Sequence, residues 1–188
     1  MRPSPFIAAV VLAAGATGAQ AVQQRLPPHP SSTVVVIPAS EISIDLPAEI
    51  TPASVVAGMN RYRTEAGLQP LREEGRLEAV ANDRMRDMED LGYWAHVAPD
   101  GRTPFLMYAP HDYSFLNAGE NLARGFETTS LLVKSWMESK GHRANIMSPV
   151  YRDCGVAVID GSTTGPATGR SIVVVFGSEL TPHASSGR

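Results

Sequence analysis

The sequence predicts an α+β fold, a three-layer α-β-α sandwich around a small antiparallel sheet, and three observations lead there. The runs 155–159 (GVAVI) and 171–176 (SIVVVF) are apolar at successive positions instead of alternating, so both faces of these two strands must be covered. Stretches with apolar residues at helical spacing supply helices to cover them. The glycine-, serine- and threonine-rich segment between the runs, GSTTGPATG, fits the connection of a hairpin.

In chain order, residues 1–21 read as an export leader. Arg2 precedes an apolar run from Phe6 to Ala14, and Ala19-Gln20-Ala21 supplies the small-residue pattern of a cleavage site after Ala21. The run falls short of the ~20 apolar residues a spanning helix needs, and no other segment approaches that length. Residues 22–50 are rich in proline and serine around the patch Val34-Val35-Val36-Ile37, and read as an extended linker. The globular domain is expected over residues 51–180, followed by a polar, frayed tail at 181–188.

Thr51-Pro52 gives an N-cap and a proline at the first helical position, with Val55, Val56, Met59 and Tyr62 on one face and Gly67 as the stop. Asn60 and Arg63, one turn apart in this helix, read as capping or solvated residues. A second helix carries Leu77, Val80, Ala81, Met85, Met88 and Leu91 and ends at Gly92; its methionines are core. Thr103-Pro104 starts a short helix that Pro110 closes.

The net charge of −3, with basic and acidic residues interspersed, provides no basic stripe and excludes nucleic acid as an expected partner. The single cysteine, Cys154, can form no disulfide within the chain and lies in an apolar run, where a thiol packs as a small hydrophobe. The fold must therefore hold by packing.

Residues 117–149 carry the chemistry. Thr128 or Thr129 caps a helix with Leu132, Val133 and Trp136, and Gly141 reads as its left-handed stop, leaving His142 just past a terminus. Ala118-Gly119-Glu120-Asn121 reads as a sharp turn that aims the carboxylate inward. His96, in Tyr93-Trp94-Ala95-His96, follows the second helix. Two imidazoles and one carboxylate at element ends can converge on one cleft.

Together with Asn60-x-x-Arg63, Gly67-Leu68-x-Pro70-Leu71, Pro99-Asp100-Gly101-Arg102, Trp136 and Gly141-His142-Arg143-x-Asn145-Ile146, these motifs resemble the bacterial branch of the CAP superfamily. Its domain is also called SCP, after cysteine-rich secretory proteins, antigen 5 and pathogenesis-related 1 proteins. The resemblance implies an α-β-α sandwich and a cleft whose histidines are His96 and His142 and whose first glutamate is Glu120, able in some members to hold a divalent metal. The second glutamate of plant and animal members lies three residues after the tryptophan matching Trp136; here that position is Ser139. The disulfides of many eukaryotic members are absent as well.

Two neutral imidazoles and a carboxylate, His96, His142 and Glu120, suit zinc or a similar ion with one position open. The same residues equally suit a polar network in which Glu120 accepts from both histidines. Asn121, Trp136, Ser139, Arg143 and Asn145 read as support, Arg143 as partner of a carboxylate and the asparagines as anchors for loose backbone groups. No nucleophile elbow, HExxH or serine motif is present. The expected function is a secreted or periplasmic binding module for a lipid or envelope glycan, with a metal-dependent hydrolase of peptide or cell-wall substrates and a structural adhesin as alternatives.

Overall fold

The two unalternating apolar runs become a pair of long antiparallel strands, and the rest of the chain packs on their two faces. The computed structural model describes the backbone of residues 7–10, and residues 49–161 and 169–180 in full. The expected linker up to residue 48, the hairpin tip at 162–168 and the tail at 181–188 lie outside the described residues, as does the leader apart from 7–10. The elements are β1 (Ile7–Val10), α1 (Pro52–Glu65), β2 (Arg72–Glu73), α2 (Gly75–Asp90), two 3₁₀ turns (Pro104–Met107 and Ala109–His111), β3 (Phe115–Phe126), α3 (Thr129–Glu138), α4 (Lys140–Ile146), β4 (Asp153–Asp160) and β5 (Arg170–Glu179).

The sheet order is β1-β3-β5-β4-β2. The β4–β5 hairpin is antiparallel, as expected, and β3 lies antiparallel on the other side of β5. Two features depart from the expected sheet. The two-residue β2 pairs parallel with β4, so the sheet is mixed at that edge. At the opposite edge, β1, from within the expected leader, pairs antiparallel with β3, Val10 opposite Glu120.

Strand alternation divides the core into two layers. Val156, Ile172, Val174 and Phe176 pack with α1, α3 and α4 residues such as Met59, Leu132 and Trp136. Ala157, Val173 and Val175 pack with Leu77, Val80 and Met85 of α2 and with Tyr108 and Tyr113. Both faces of β4 and β5 are thus covered, which is what their continuous apolar runs require. Gly155 lets α2 lie against β4: a Cβ there would stand 2.0 Å from the Leu77 carbonyl carbon. Cys154 is buried, and burial pushes its thiol up to about 12, so it packs as an inert hydrophobe.

The helix signals hold at their beginnings. Thr51 and Ser54 form a reciprocal capping box, and Thr128 caps α3 through Leu131 N at 3.3 Å. Gly67 and Gly92 follow α1 and α2 with φ of 73° and 65°. Arg63, read from sequence as solvated or capping, is instead buried. It donates to the carbonyls of Gln69 (2.9 Å), Ile146 (2.7 Å), Ser148 (2.9 Å) and Tyr151 (3.3 Å), tying α1 to the segment after α4. Asn60 brackets Leu71 on both its carbonyl and its N–H.

Removing Arg63 strands several buried carbonyls at once. Arg63→Met is expected to lower stability by about 3 kcal/mol or more, measured by urea unfolding; a loss under about 1 kcal/mol would show that water replaces the guanidinium. Cys154 should resist alkylation in the native protein at pH 8, where only about one thiol in ten thousand is ionised, and react fully once urea unfolds the chain. Prompt native-state labelling would contradict its burial.

Candidate functional site

Glu120 reaches the interior from the middle of a strand. The sequence reading placed a turn at residues 118–121; the structure has a twelve-residue strand there. Asparagine and glycine are poor strand formers, but pairing with β5 along the length of β3 overrides that preference. Gly119 is needed for close approach and not for turning, since a Cβ would meet Tyr151 Oη at 2.5 Å. In place of the Gly119 turn, the pleat itself aims the carboxylate: Ala118, Glu120 and Leu122 share the α2 face, while Asn121 faces α4.

On the α2 face, Arg84 Nε donates to Glu120 Oε2 at 2.8 Å, and both side chains are 1% exposed. The other carboxylate oxygen stands 2.6 Å from His96 Nδ1. A carboxylate only accepts, so Nδ1 is the ring nitrogen that carries the proton in this contact. Among the described residues, neither the buried Nε2 nor the buried indole Nε1 of Trp94 has a hydrogen-bond partner. Arg84 also donates to Ala95 O, to Tyr93 Oη and, at 3.4 Å, to Asp87 Oδ2. Its guanidinium thus holds both the carboxylate and the backbone that carries His96. Tyr93 Oη in turn donates to Asp87, and burial foremost, with Asp87 next, pushes this phenol up to about 12.

On the opposite face, Gly141 is an ordinary helical residue inside α4, in place of the expected left-handed stop. The break between α3 and α4 falls instead at Ser139, whose backbone is extended (φ −90°, ψ 122°). His142 is therefore in the first turns of α4, buried, its ring stacked on Trp136 at 6.1 Å and its Nδ1 2.7 Å from Ser139 Oγ. Asn145 Nδ2 donates to Glu120 O (3.0 Å) and Asn121 Oδ1 (2.8 Å), and Asn121 Nδ2 to His142 O (3.3 Å). The asparagines anchor backbone carbonyls and each other, and so lock α4 onto β3. Arg143 stands in the last turn of α4, where a cation complements the helix dipole.

The support residues Asn121, Trp136, Ser139 and Asn145 thus surround His142, while His96 and Glu120 meet on the other face of β3. Arg84 was missed by the sequence reading. It sits in the charged run NDRMRDMED, and only its position one turn from Val80, Ala81 and Met88 hints that it faces inward.

These residues, as arranged, do not fit the divalent ion that the family resemblance implies. Both Glu120 oxygens are engaged, one of them by a cation, and among the described residues no three of His, Cys, Asp and Glu form a group that could hold a metal.

An α-β-α sandwich with this constellation defines an SCP-type domain, and comparison with known proteins agrees. The family model of the cysteine-rich secretory protein family, CAP, matches residues 56–176, and the chain belongs to that family. It is 38% identical over 106 residues to the Bacillus subtilis protein YkwD, covering 56% of this chain and 41% of that one. Against the Bacillus subtilis membrane protein YlbC it is 30% identical over 100 residues, covering 53% and 29%. The chain thus spans less than half the length of either relative. An extracellular protein containing a SCP domain from Bacillus anthracis superposes with a TM-score of 0.59 at 23% identity, covering 68% of this chain and 40% of that one. An outer surface protein from Borrelia burgdorferi does so with 0.58 at 23%, covering 67% and 90%. No helix among the described residues is long and apolar enough to cross a membrane.

Deleting one member of a fully buried ion pair leaves the other charge uncompensated. Arg84→Met should cost about 3–5 kcal/mol in chemical denaturation, and the double variant Arg84→Met/Glu120→Met should recover most of it. A double variant as unstable as the single would show that the two groups do not act as a pair.

Proposed function

We propose that the chain is an exported, non-catalytic ligand-binding module. The leader at residues 1–21 directs export and is cleaved after Ala21, and the domain works in the periplasm or outside the cell. The ligand is a lipid or an envelope glycan, the classes the family likeness suggests, taken up beside His96.

One observation carries the binding reading: among the described residues His96 Nε2 is buried with no hydrogen-bond partner, on a ring held in place by Glu120 and Arg84. An unpaired buried polar atom costs free energy, about 1–3 kcal/mol, which a polar group of a ligand would recover on binding. The same hydrogen bonds weigh against hydrolysis, because Glu120, the carboxylate that would serve as base toward water, has both oxygens committed.

A second reading draws on the contact between Ser139 Oγ and His142 Nδ1 at 2.7 Å, which pairs a hydroxyl with a base, as a hydrolase of peptide or cell-wall substrates would need. The contact also serves to hold the ring on Trp136. The third, an adhesin with an inert site, draws on no contact of its own.

The readings separate in one set of measurements on purified protein. Phospholipid vesicles and solubilised peptidoglycan fragments serve as probes, each read by a rise in melting temperature; a probe at a hundred times its Kd stabilises by about 2.7 kcal/mol. The binding reading expects one of them to do so, and His96→Ala to remove the effect with the fold intact. Turnover of a peptide or peptidoglycan substrate that disappears in Ser139→Ala would decide for the hydrolase, and no response to either probe in the wild type would leave the adhesin.

A further inference from the structure

We propose that Arg84 stands where a divalent cation would stand at the Glu120 carboxylate, so that the His96–Glu120 pair of this chain works without metal and Arg84 is the residue that decides it. The inference does not depend on which ligand the module binds.

A carboxylate beside a histidine, in a fold whose members can hold metals, needs a positive charge to make its burial tolerable. Here that charge is covalent. Arg84 Nε lies 2.8 Å from Glu120 Oε2, and both side chains are 1% exposed, so neither can reach water without local unfolding. The guanidinium cannot swing aside either. Its remaining nitrogens donate to Ala95 O, Tyr93 Oη and Asp87 Oδ2, and its centre lies 5.3 Å from the Tyr93 ring. It is fastened to the segment that carries His96 as firmly as to the carboxylate.

A metal approaching Glu120 meets this fixed charge. At an effective dielectric of about 20, a divalent ion about 5 Å from a guanidinium loses roughly four to five orders of magnitude in affinity. The other nitrogen of His96 offers no way round. Nε2 faces away from the carboxylate contact and could ligate an ion, with Glu120 orienting the ring behind it. Such an ion would still lack further protein ligands, since no third His, Cys, Asp or Glu joins a metal-holding group among the described residues. Arg84 thus has two effects through one side chain: it supplies the neutralising charge, and through Tyr93 and Ala95 it sets the position of His96. It is a positioning residue, not a ligand-contacting one.

The test is calorimetric titration of zinc and manganese into the full chain, with melting temperatures recorded in parallel. Wild type is expected to show no metal-dependent heat or melting shift attributable to this pair, meaning none that Glu120→Gln or His96→Ala alters. Arg84→Gln, which removes the charge and leaves Glu120 and His96, is expected to gain a zinc-dependent rise in melting temperature that a further His96→Ala abolishes. Arg84→Lys is expected to stay indifferent to metal. Saturable wild-type binding that Glu120→Gln weakens tenfold or more would overturn the proposal. So would a folded Arg84→Gln protein that gains no response to zinc. Should Arg84→Gln not fold at any zinc concentration, the ¹⁵N shifts of the His96 ring in wild type decide: unchanged by zinc, they support the proposal, and displaced, they sink it. Binding that survives both Glu120→Gln and His96→Ala lies elsewhere in the chain and leaves the pair metal-free, as expected.

Discussion

The contact between Arg84 and Glu120 is the constraint around which the site is built, because it joins three separate parts of the chain at one buried point. Glu120 belongs to β3, Arg84 to α2, and the carbonyl and hydroxyl that Arg84 also grips belong to the segment bearing His96. A buried ion pair adds little net stability over apolar residues of the same volume, so stability alone does not account for keeping one here. What it adds is direction. Charged partners in a dry interior tolerate few arrangements, and each of these hydrogen bonds removes one way for the His96 imidazole to wander.

The pleat of β3 explains why the candidate site residues fall into two groups. Glu120 and Asn121 are consecutive, and consecutive strand residues point to opposite faces. Glu120 meets Arg84 and His96 beneath α2, while Asn121 meets Asn145 and the His142 carbonyl beside α4. The strand is a partition with a polar cluster against each side. The two clusters are mechanically continuous, since Asn145 also bonds the Glu120 carbonyl. A displacement of α4 would therefore reach the carboxylate through its own backbone, without the two histidines needing to share a ligand.

Most of the scaffold was legible in the sequence. Thr51-Pro52, Thr128, Gly67 and Gly92 act through local chemistry, a side-chain oxygen on an open N–H or a positive φ, and local chemistry can be read from a few adjacent letters. The hairpin was legible because its strands are apolar on both sides. The errors share a cause. Gly119 and Gly141 were read as chain-bending residues, yet one makes room for Tyr151 and the other sits in an ordinary helix. A glycine's letter does not say whether it is there for its torsion angles or for its missing Cβ; only the neighbour across the fold decides. Arg63 and Arg84 were hidden for the complementary reason. A charged residue on a helix reads as solvated unless its partner is known, and their partners lie far along the chain, at residues 146–151 and 120.

The substitution of Ser139 for the glutamate of plant and animal members fits the same electrostatic logic. A second carboxylate near His142 would need its own neutralising group, and the guanidinium of Arg84, on the other face of β3, is already committed to Glu120. Ser139 instead places a hydroxyl 2.7 Å from His142 Nδ1, satisfying the imidazole without adding charge. Its extended backbone also divides α3 from α4, which turns the His142 ring onto Trp136. With a serine at this position and an arginine at 84, the two polar clusters are balanced by residues of the chain itself, each histidine having one ring nitrogen fixed by an internal partner. On the proposed binding reading, what an incoming molecule meets is an imidazole already held by Glu120, at a ring nitrogen that has no hydrogen-bond partner among the described residues.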